Sequence, residues 1–149
     1  MAHVVVERTI AAPPERVFAA ATDVHRFAEI VPAIEKVEVL TPGPMAVGTR
    51  FRETRTLMGR SATEEMTVTA FDPPRSYVVG AESHGCRYRT EFRFEPVGSG
   101  TRMVMEFGAE PMTLTAKVLS VLMKLLTKKM AELCAQDLDA IKAHVEQRA

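Results

Sequence analysis

The chain of 149 residues has no tryptophan, only two cysteines and no excess of charge of either sign. Its 19 basic side chains balance 19 acidic ones, so the overall charge does not favour a nucleic-acid partner. No apolar run approaches the roughly 20 residues that cross a membrane, and no export signal is visible at the start. Cys86 and Cys134 match no metal or redox spacing. We therefore expect reduced thiols and a cytoplasmic protein.

The sequence also lacks the common catalytic motifs. It contains no Gly-x-Ser-x-Gly, no His-Glu-x-x-His, no phosphate-binding loop and no dinucleotide-binding Gly-x-Gly-x-x-Gly after the first strand. The four histidines, His3, His25, His84 and His144, are scattered without the spacing of metal ligands. We therefore predict no metal site and no cofactor.

What the sequence does contain is typical of one globular domain over residues 1–149, with 46% apolar and 26% charged residues. An alternating strand from Val4 to Ile10 runs into Pro13-Pro14, which suits the first turn of a helix. A second short helix opens at Asp23, a favourable N-cap, and ends near Val31-Pro32. A strand followed by two short helices at the start of a β-rich domain indicates a curved sheet wrapped around a helix.

Six further strands follow, separated by turns rich in glycine and proline. Their predicted limits are Ile34 to Leu40, Gly48 to Leu57, Arg60 to Phe71, Ser76 to Ser83, Arg87 to Glu95 and Thr101 to Ala109. The turn at Met58-Gly59 joins two of them as a tight hairpin. From Thr113 to Val145 there is no proline or glycine, and apolar residues recur at helical spacing. The predicted fold is α+β, with seven antiparallel strands bent around one long C-terminal helix.

This order of elements resembles the helix-grip, or SRPBCC, superfamily, which includes START domains, Bet v 1-like proteins and bacterial polyketide cyclase/dehydrase-like proteins. The resemblance covers nearly the whole chain. Its pieces are Ala11-Ala12-Pro13-Pro14-Glu15-Arg16-Val17-Phe18, Asp23 through Val31-Pro32, Val47-Gly48-Thr49-Arg50-Phe51, Phe71-Asp72-Pro73-Pro74, Gly100-Thr101-Arg102 and the last helix. The resemblance implies a deep apolar cavity between sheet and last helix, which holds lipids, sterols, polyketides, hormones or quinone-like molecules in such proteins. These motifs include no shared catalytic signature.

Charged residues share the inward face of two predicted strands. Glu53 and Arg55 have the same parity as Phe51 and Leu57, and Glu64 has the parity of apolar residues in the neighbouring strand. One interpretation is an inward cluster in which Arg55 compensates two glutamates and forms a polar anchor or an acid–base group. The other is that this face is solvated near the hairpin tip.

A second candidate group surrounds one turn, where His84 lies near Tyr77, Tyr88 and Cys86 in the sequence. A histidine at a pocket mouth exchanges protons near neutral pH. The alternative is an exposed turn residue with no chemical role.

Binding of a small apolar molecule is the leading functional hypothesis, because a sheet curved around a helix leaves a volume that these side chains need not fill. Methionines on the inward face adapt to irregular apolar shapes, although ordinary core packing also explains them. The predicted ligand-binding residues are Phe27, Ile30, Phe51, Glu53, Arg55, Met66, Val68, Tyr88, Phe92, Phe94, Met103, Met105, Phe107, Leu122, Leu126 and Met130.

Two alternatives belong to other classes. The first is an enzyme that cyclises, dehydrates or isomerises a polyketide-like carbonyl substrate, with Glu53 or Glu64 as base and Arg55 or Tyr88 stabilising an enolate oxygen. The second is an interaction protein that uses the apolar segment from Val118 to Leu126, flanked by lysines, against a lipid surface or a second copy of the chain. A homodimer is the preferred version of this hypothesis.

Overall fold

The computed structural model describes residues 2–57, 59–83, 85–123 and 127–147, and the side chains of all of these except residues 2, 119, 120, 122 and 123. Among the sequence predictions, Met58, His84 and Leu126 lie outside the described residues, as does the side chain of Leu122. None of the helices within the described ranges is long and apolar enough to span a membrane.

Seven antiparallel strands form one sheet, which confirms the predicted fold. The strands are β1 Ala2–Ile10, β2 Ile34–Val39, β3 Arg50–Leu57, β4 Arg60–Asp72, β5 Ser76–Ser83, β6 Cys86–Val97 and β7 Gly100–Pro111. Their order across the sheet is β1-β7-β6-β5-β4-β3-β2, so the first strand pairs with the last and β2 forms the opposite edge.

Strands β6 and β7 extend further than the sequence predicted. Pro96 pairs with Thr101, and Pro111 pairs with Cys86, so both prolines belong to strands rather than to the turns beside them. Proline is tolerated near a strand end because the missing N–H there interrupts little of the ladder. Because proline is typical of turns, the sequence predicted β6 and β7 to be shorter than they are.

Two short helices follow β1, as predicted. Helix α1 spans Pro14–Ala21, and a 3-10 turn over Val24–Arg26 leads into α2, Phe27–Ile30. Asp23 occupies the N-cap position of the 3-10 turn, but its side chain makes no capping hydrogen bond there. The predicted cap is thus correct in position and wrong in bonding, since the carboxylate lies 3.9 Å from the Arg26 guanidinium instead.

The C-terminal helical region contains two described helices, α3 Leu114–Met123 and α4 Thr127–Gln147, where the sequence predicted one helix from Thr113 to Val145. Residues 124–126 between them lie outside the described ranges. Helix α4 is the long C-terminal helix of the fold, with 21 residues and a length of about 31 Å.

Helix α4 packs mainly along β1 and α1. Its apolar face buries Leu138, while polar side chains bind the backbone at the end of β1. Lys142 donates to the carbonyl oxygen of Thr9 at 2.7 Å, and the amide of Ala11 donates to the Glu146 carboxylate at 2.8 Å. These contacts fix the helix along one edge of the sheet.

Helix α1 closes one end of the inward sheet face. The ring centroid of Phe18 lies 5.4 Å from that of Phe71, 6.1 Å from that of Tyr77 and 5.1 Å from that of Phe94. Aromatic contacts of this kind stabilise a core beyond the area they bury. This end of the molecule is therefore filled by side chains, and the space described below lies elsewhere on the same face.

Candidate functional site

A cavity of about 490 Å³ lies between the inward face of the sheet and the C-terminal helices. Six of the seven strands contribute to its wall, together with α2, α3 and α4. The predicted site residues that line it are Phe27, Phe51, Glu53, Arg55, Glu64, Met66, Tyr88, Phe92, Met105, Phe107 and Met130. The wall is mostly apolar, and its ionisable groups fall into two clusters.

Four predicted ligand-binding residues lie in the packed core and not on the cavity wall. They are Ile30, Val68, Phe94 and Met103, all of them buried. Phe94 and Met103 are paired across β6 and β7. The Phe18 ring packs against Phe94, so helix α1 covers this part of the inward face. Alternation along the strands identifies the inward face without showing which part of it another element covers.

The β3–β4 pairing explains why charged side chains enter the cavity. Phe51 pairs with Met66, and Glu53 pairs with Glu64, so these four residues alternate in phase and share the inward face. Arg55 follows Glu53 with the same parity. The structure therefore places Glu53, Arg55 and Glu64 on the cavity wall. This placement corresponds to the interpretation in which they form an inward cluster.

The first polar cluster joins β3 to α4. The Arg55 guanidinium donates through Nε to Glu53 Oε1 at 2.7 Å and through Nη1 to Asp137 Oδ2 at 2.9 Å, while Nη2 also lies 2.7 Å from Glu53. The exposed fraction of these side chains is 21% for Arg55, 6% for Glu53 and 13% for Asp137. One guanidinium is thus shared by two buried carboxylates.

Burial dominates the electrostatics of this cluster. It raises the pKa of Glu53 above its usual value, and the charge and hydrogen bond of Arg55 offset only part of that effect. The pKa of Asp137 is raised for the same reason, again against the influence of Arg55. Both carboxyl groups are therefore closer to holding a proton than the same groups in water.

Tyr77 and Cys134 border the same cluster. The Tyr77 hydroxyl donates to the carbonyl oxygen of Ala21 at 2.9 Å, and burial, reinforced by nearby carboxylates, raises the pKa of Tyr77 well above its ordinary value. The prediction that Tyr77 groups with the turn at residues 84–85 is wrong, because Tyr77 pairs with Phe92 near the other end of β5. Burial raises the pKa of Cys134 to about 11, which makes the thiol a poor nucleophile.

The second polar cluster consists of Tyr88, Cys86 and Glu64. The Tyr88 ring stacks on Phe107 with centroids 5.9 Å apart. Burial, then the proximity of Cys86 and of Glu64, raises the pKa of Tyr88 to about 12, so its hydroxyl is a stable hydrogen-bond donor at neutral pH. Glu64 makes no hydrogen bond or ion pair with any residue that the structure describes.

Asp137 is a candidate site residue that the sequence patterns did not predict. It lies on the cavity-facing side of α4, where Met130, Leu133 and Cys134 also line the wall. The available signal was a carboxylate four residues after Leu133 and four before the buried Ile141, within the apolar stripe of the helix. No three metal-binding side chains converge within the described ranges.

Comparison with known proteins relates this geometry to a family. The model of a family described as polyketide cyclase/dehydrase and lipid transport matches residues 1–146. No curated protein matches the chain. Among solved structures, TTHA0849 from Thermus thermophilus is 25% identical, with a TM-score of 0.81 and 99% of each chain covered.

Two further structures share the fold. An aromatase/cyclase, ZhuI from a Streptomyces species, is 22% identical with a TM-score of 0.77, over 98% of this chain and 94% of that one. A START superfamily protein from Mycobacterium smegmatis is 17% identical with a TM-score of 0.79, and both chains are covered completely (100%). Both proteins share the fold of this chain, although their sequences differ widely from it.

The shared guanidinium predicts a large and pH-dependent effect of Arg55→Met. Removing the cation leaves two buried carboxylates uncompensated, so we expect the free energy of unfolding to fall by about 3–5 kcal/mol at pH 7.5. A carboxyl whose pKa is higher in the folded than in the unfolded state lowers stability at high pH. This loss begins to shrink as the pH falls below the folded-state pKa and is gone only below the unfolded-state pKa. The deficit of Arg55→Met should therefore shrink in urea titrations at pH 5.

The matched control is Arg52→Met. Arg52 lies on the outer face of the same strand and contacts the exposed carboxylates of Glu38 and Glu65. Exposed ion pairs contribute at most about 1 kcal/mol, so this variant should lose little at either pH. Equal losses in the two variants, or a deficit of Arg55→Met that does not change with pH, would contradict the account of the cluster.

Proposed function

Because this chain belongs to the family described as polyketide cyclase/dehydrase and lipid transport, we propose that it binds a small apolar molecule in the cavity between sheet and C-terminal helices. The observation that carries the proposal is the cavity itself. Its volume of about 490 Å³ is within the range of roughly 300–1,000 Å³ of small-molecule sites. A mostly apolar wall with a few polar groups is also the usual composition of such a site.

The wall suits a lipid, a polyketide, a quinone or a molecule of similar character. Phe51, Phe92 and Phe107 offer aromatic surface, and Met66 and Met130 offer flexible apolar surface that adapts to different shapes. The Tyr88 hydroxyl and the Arg55 cluster supply polar groups at separate places on the wall, which would orient a ligand with a polar substituent.

Catalysis on a carbonyl substrate is the second candidate, and the raised pKa of the Glu53 and Asp137 carboxyls favours it. A raised pKa makes a carboxylate a stronger base and keeps more of the carboxyl protonated at a given pH, and both effects assist proton transfer. In this hypothesis Glu53 or Glu64 abstracts a proton, and Arg55 or Tyr88 stabilises the enolate oxygen. Turnover of a poly-β-keto thioester analogue that falls at least about 100-fold in Glu53→Gln or Glu64→Gln, with binding retained, would support it. Unchanged turnover in both variants would remove these residues from any reaction.

The interaction hypothesis stays a prediction. Leu114, Val118 and Val121 on α3 are exposed, with 79%, 63% and 64% of their surface accessible. A homodimer through this surface is the version that sedimentation velocity tests.

The cytoplasmic location expected from the cysteines is also a prediction, to be checked by cell fractionation.

Two tryptophan substitutions on one strand distinguish a cavity from a packed core. Met105 lines the cavity, whereas Met103, two residues earlier on the same face of β7, is fully buried in the core. Met105→Trp should abolish binding of the neutral fluorescent probe N-phenyl-1-naphthylamine and change the free energy of unfolding little. Met103→Trp should destabilise the fold by about 1–3 kcal/mol through overpacking and keep probe binding wherever the fold persists.

Fluorescence titration and urea unfolding measure these two effects separately. The binding proposal would be wrong if the unmodified protein does not bind the probe. It would equally be wrong if Met105→Trp retains full probe binding and is destabilised as strongly as Met103→Trp.

A further inference from the structure

Among the described residues that line the cavity, acidic side chains outnumber basic ones. Glu53, Glu64 and Asp137 contribute three carboxylates, and Arg55 is the one basic side chain among the described residues that line the cavity. With every group ionised, three negative charges and one positive charge leave two negative charges uncompensated. With one carboxyl of the Arg55 cluster protonated, one negative charge remains. The described part of the wall is therefore electronegative in both states.

Arg55 is already engaged by carboxylates of the protein, which makes it a poor anchor for a ligand carboxylate. All three guanidinium nitrogens contact carboxylates, Nε and Nη2 at Glu53 and Nη1 at Asp137, at distances of 2.7–2.9 Å. A ligand carboxylate that approached Arg55 would have to displace one of these groups or lie beside two negative charges. The arginine consequently compensates Glu53 and Asp137 instead of recruiting an anion.

Glu64 carries the carboxylate that no described residue compensates. It is half-buried on the cavity wall, directly opposite Glu53 in the β3–β4 register, and it has no hydrogen-bonding or ionic partner among the described residues. Like charges directly opposite one another in a sheet destabilise the pairing. A positive group in the cavity would relieve this repulsion and gain the attraction of a partly desolvated carboxylate.

From this arrangement we propose that the cavity selects apolar molecules that carry one protonated nitrogen, with the nitrogen placed near Glu64, over molecules of the same shape that carry a carboxylate. The inference rests on the proposed function, because it specifies the ligand of the same cavity. The apolar body of the ligand would lie against residues such as Phe107 and Met66, since most of the wall offers no polar partner. Fatty acids and other apolar anions are accordingly the disfavoured class.

A series of ligands that differ only in the head group tests the proposal. Decylamine, decanol and decanoate have the same ten-carbon body and are respectively cationic, neutral and anionic at pH 7.5. Each would compete with N-phenyl-1-naphthylamine, whose fluorescence reports occupancy of the cavity and which is itself uncharged at this pH. We expect decylamine to bind at least about tenfold more tightly than decanoate, with decanol between them.

Glu64→Gln keeps the shape of the side chain and removes its charge. In this variant the preference for decylamine over decanoate should fall several-fold, while the affinity for decanol stays the same. Glu65→Gln is the matched control, because Glu65 is the next residue of β4, points to the outer face and lies 3.7–3.8 Å from Arg50 and Arg52. The Glu65→Gln variant should show the same preference for decylamine over decanoate as the unmodified protein.

The outcomes separate this inference from the binding proposal on which it rests. If the probe does not bind the unmodified protein, both are overturned. If the probe binds and decanoate displaces it as well as decylamine does, binding stands and the charge selectivity is wrong. A preference for decylamine that persists in full in Glu64→Gln would also overturn the inference, since the carboxylate assigned to the nitrogen would then have no role.

Discussion

The ion pair between Arg55 on β3 and Asp137 on α4 connects the long helix to the part of the sheet against which it does not otherwise pack closely. Helix α4 lies along β1 and α1, at one side of the inward face. Direct apolar packing between α4 and β3 would fill the space between them. A long arginine side chain spans that space instead, so the two elements are linked while the cavity stays open. Burying these charges is costly, and the cost is tolerable because the guanidinium nitrogens face carboxylates.

The remainder of the molecule compensates for an open interior. At one end, Phe18 packs against the rings of Phe71, Tyr77 and Phe94, and this cluster supplies dense core packing. At the other end, carboxylates and apolar groups face a cavity and forgo the contacts that a filled core would provide. Such a division is expected where binding requires groups that lower the stability of the unliganded fold. Dense packing and open space thus lie at different ends of one sheet face.

The sequence predicted the fold well because local signals agreed with one another. Strict alternation in β3 identified the inward direction of Glu53 and Arg55, and the proline pair before α1 located the first helix. Contacts between distant elements were harder to predict. Asp137 contacts Arg55 because of the way α4 packs, and Phe94 does not line the cavity because α1 covers it. Periodicity predicts which face of the sheet a side chain occupies. Whether that side chain lines the cavity depends on which helix packs over it, and periodicity does not show this.

Methionine methyl groups offer the most direct test of the central claim, that the open end of this face is a binding cavity. Met66, Met105 and Met130 line the cavity, whereas Met45 and Met103 are buried in the core and do not contribute to its wall. In a protein labelled with ¹³C at the methionine methyl groups, titration with a neutral apolar ligand such as decanol should shift the resonances of Met66, Met105 and Met130. The resonances of Met45 and Met103 should move little. If the core methionines shift as much as the others, or if none shifts at saturating ligand, the cavity is not the binding site.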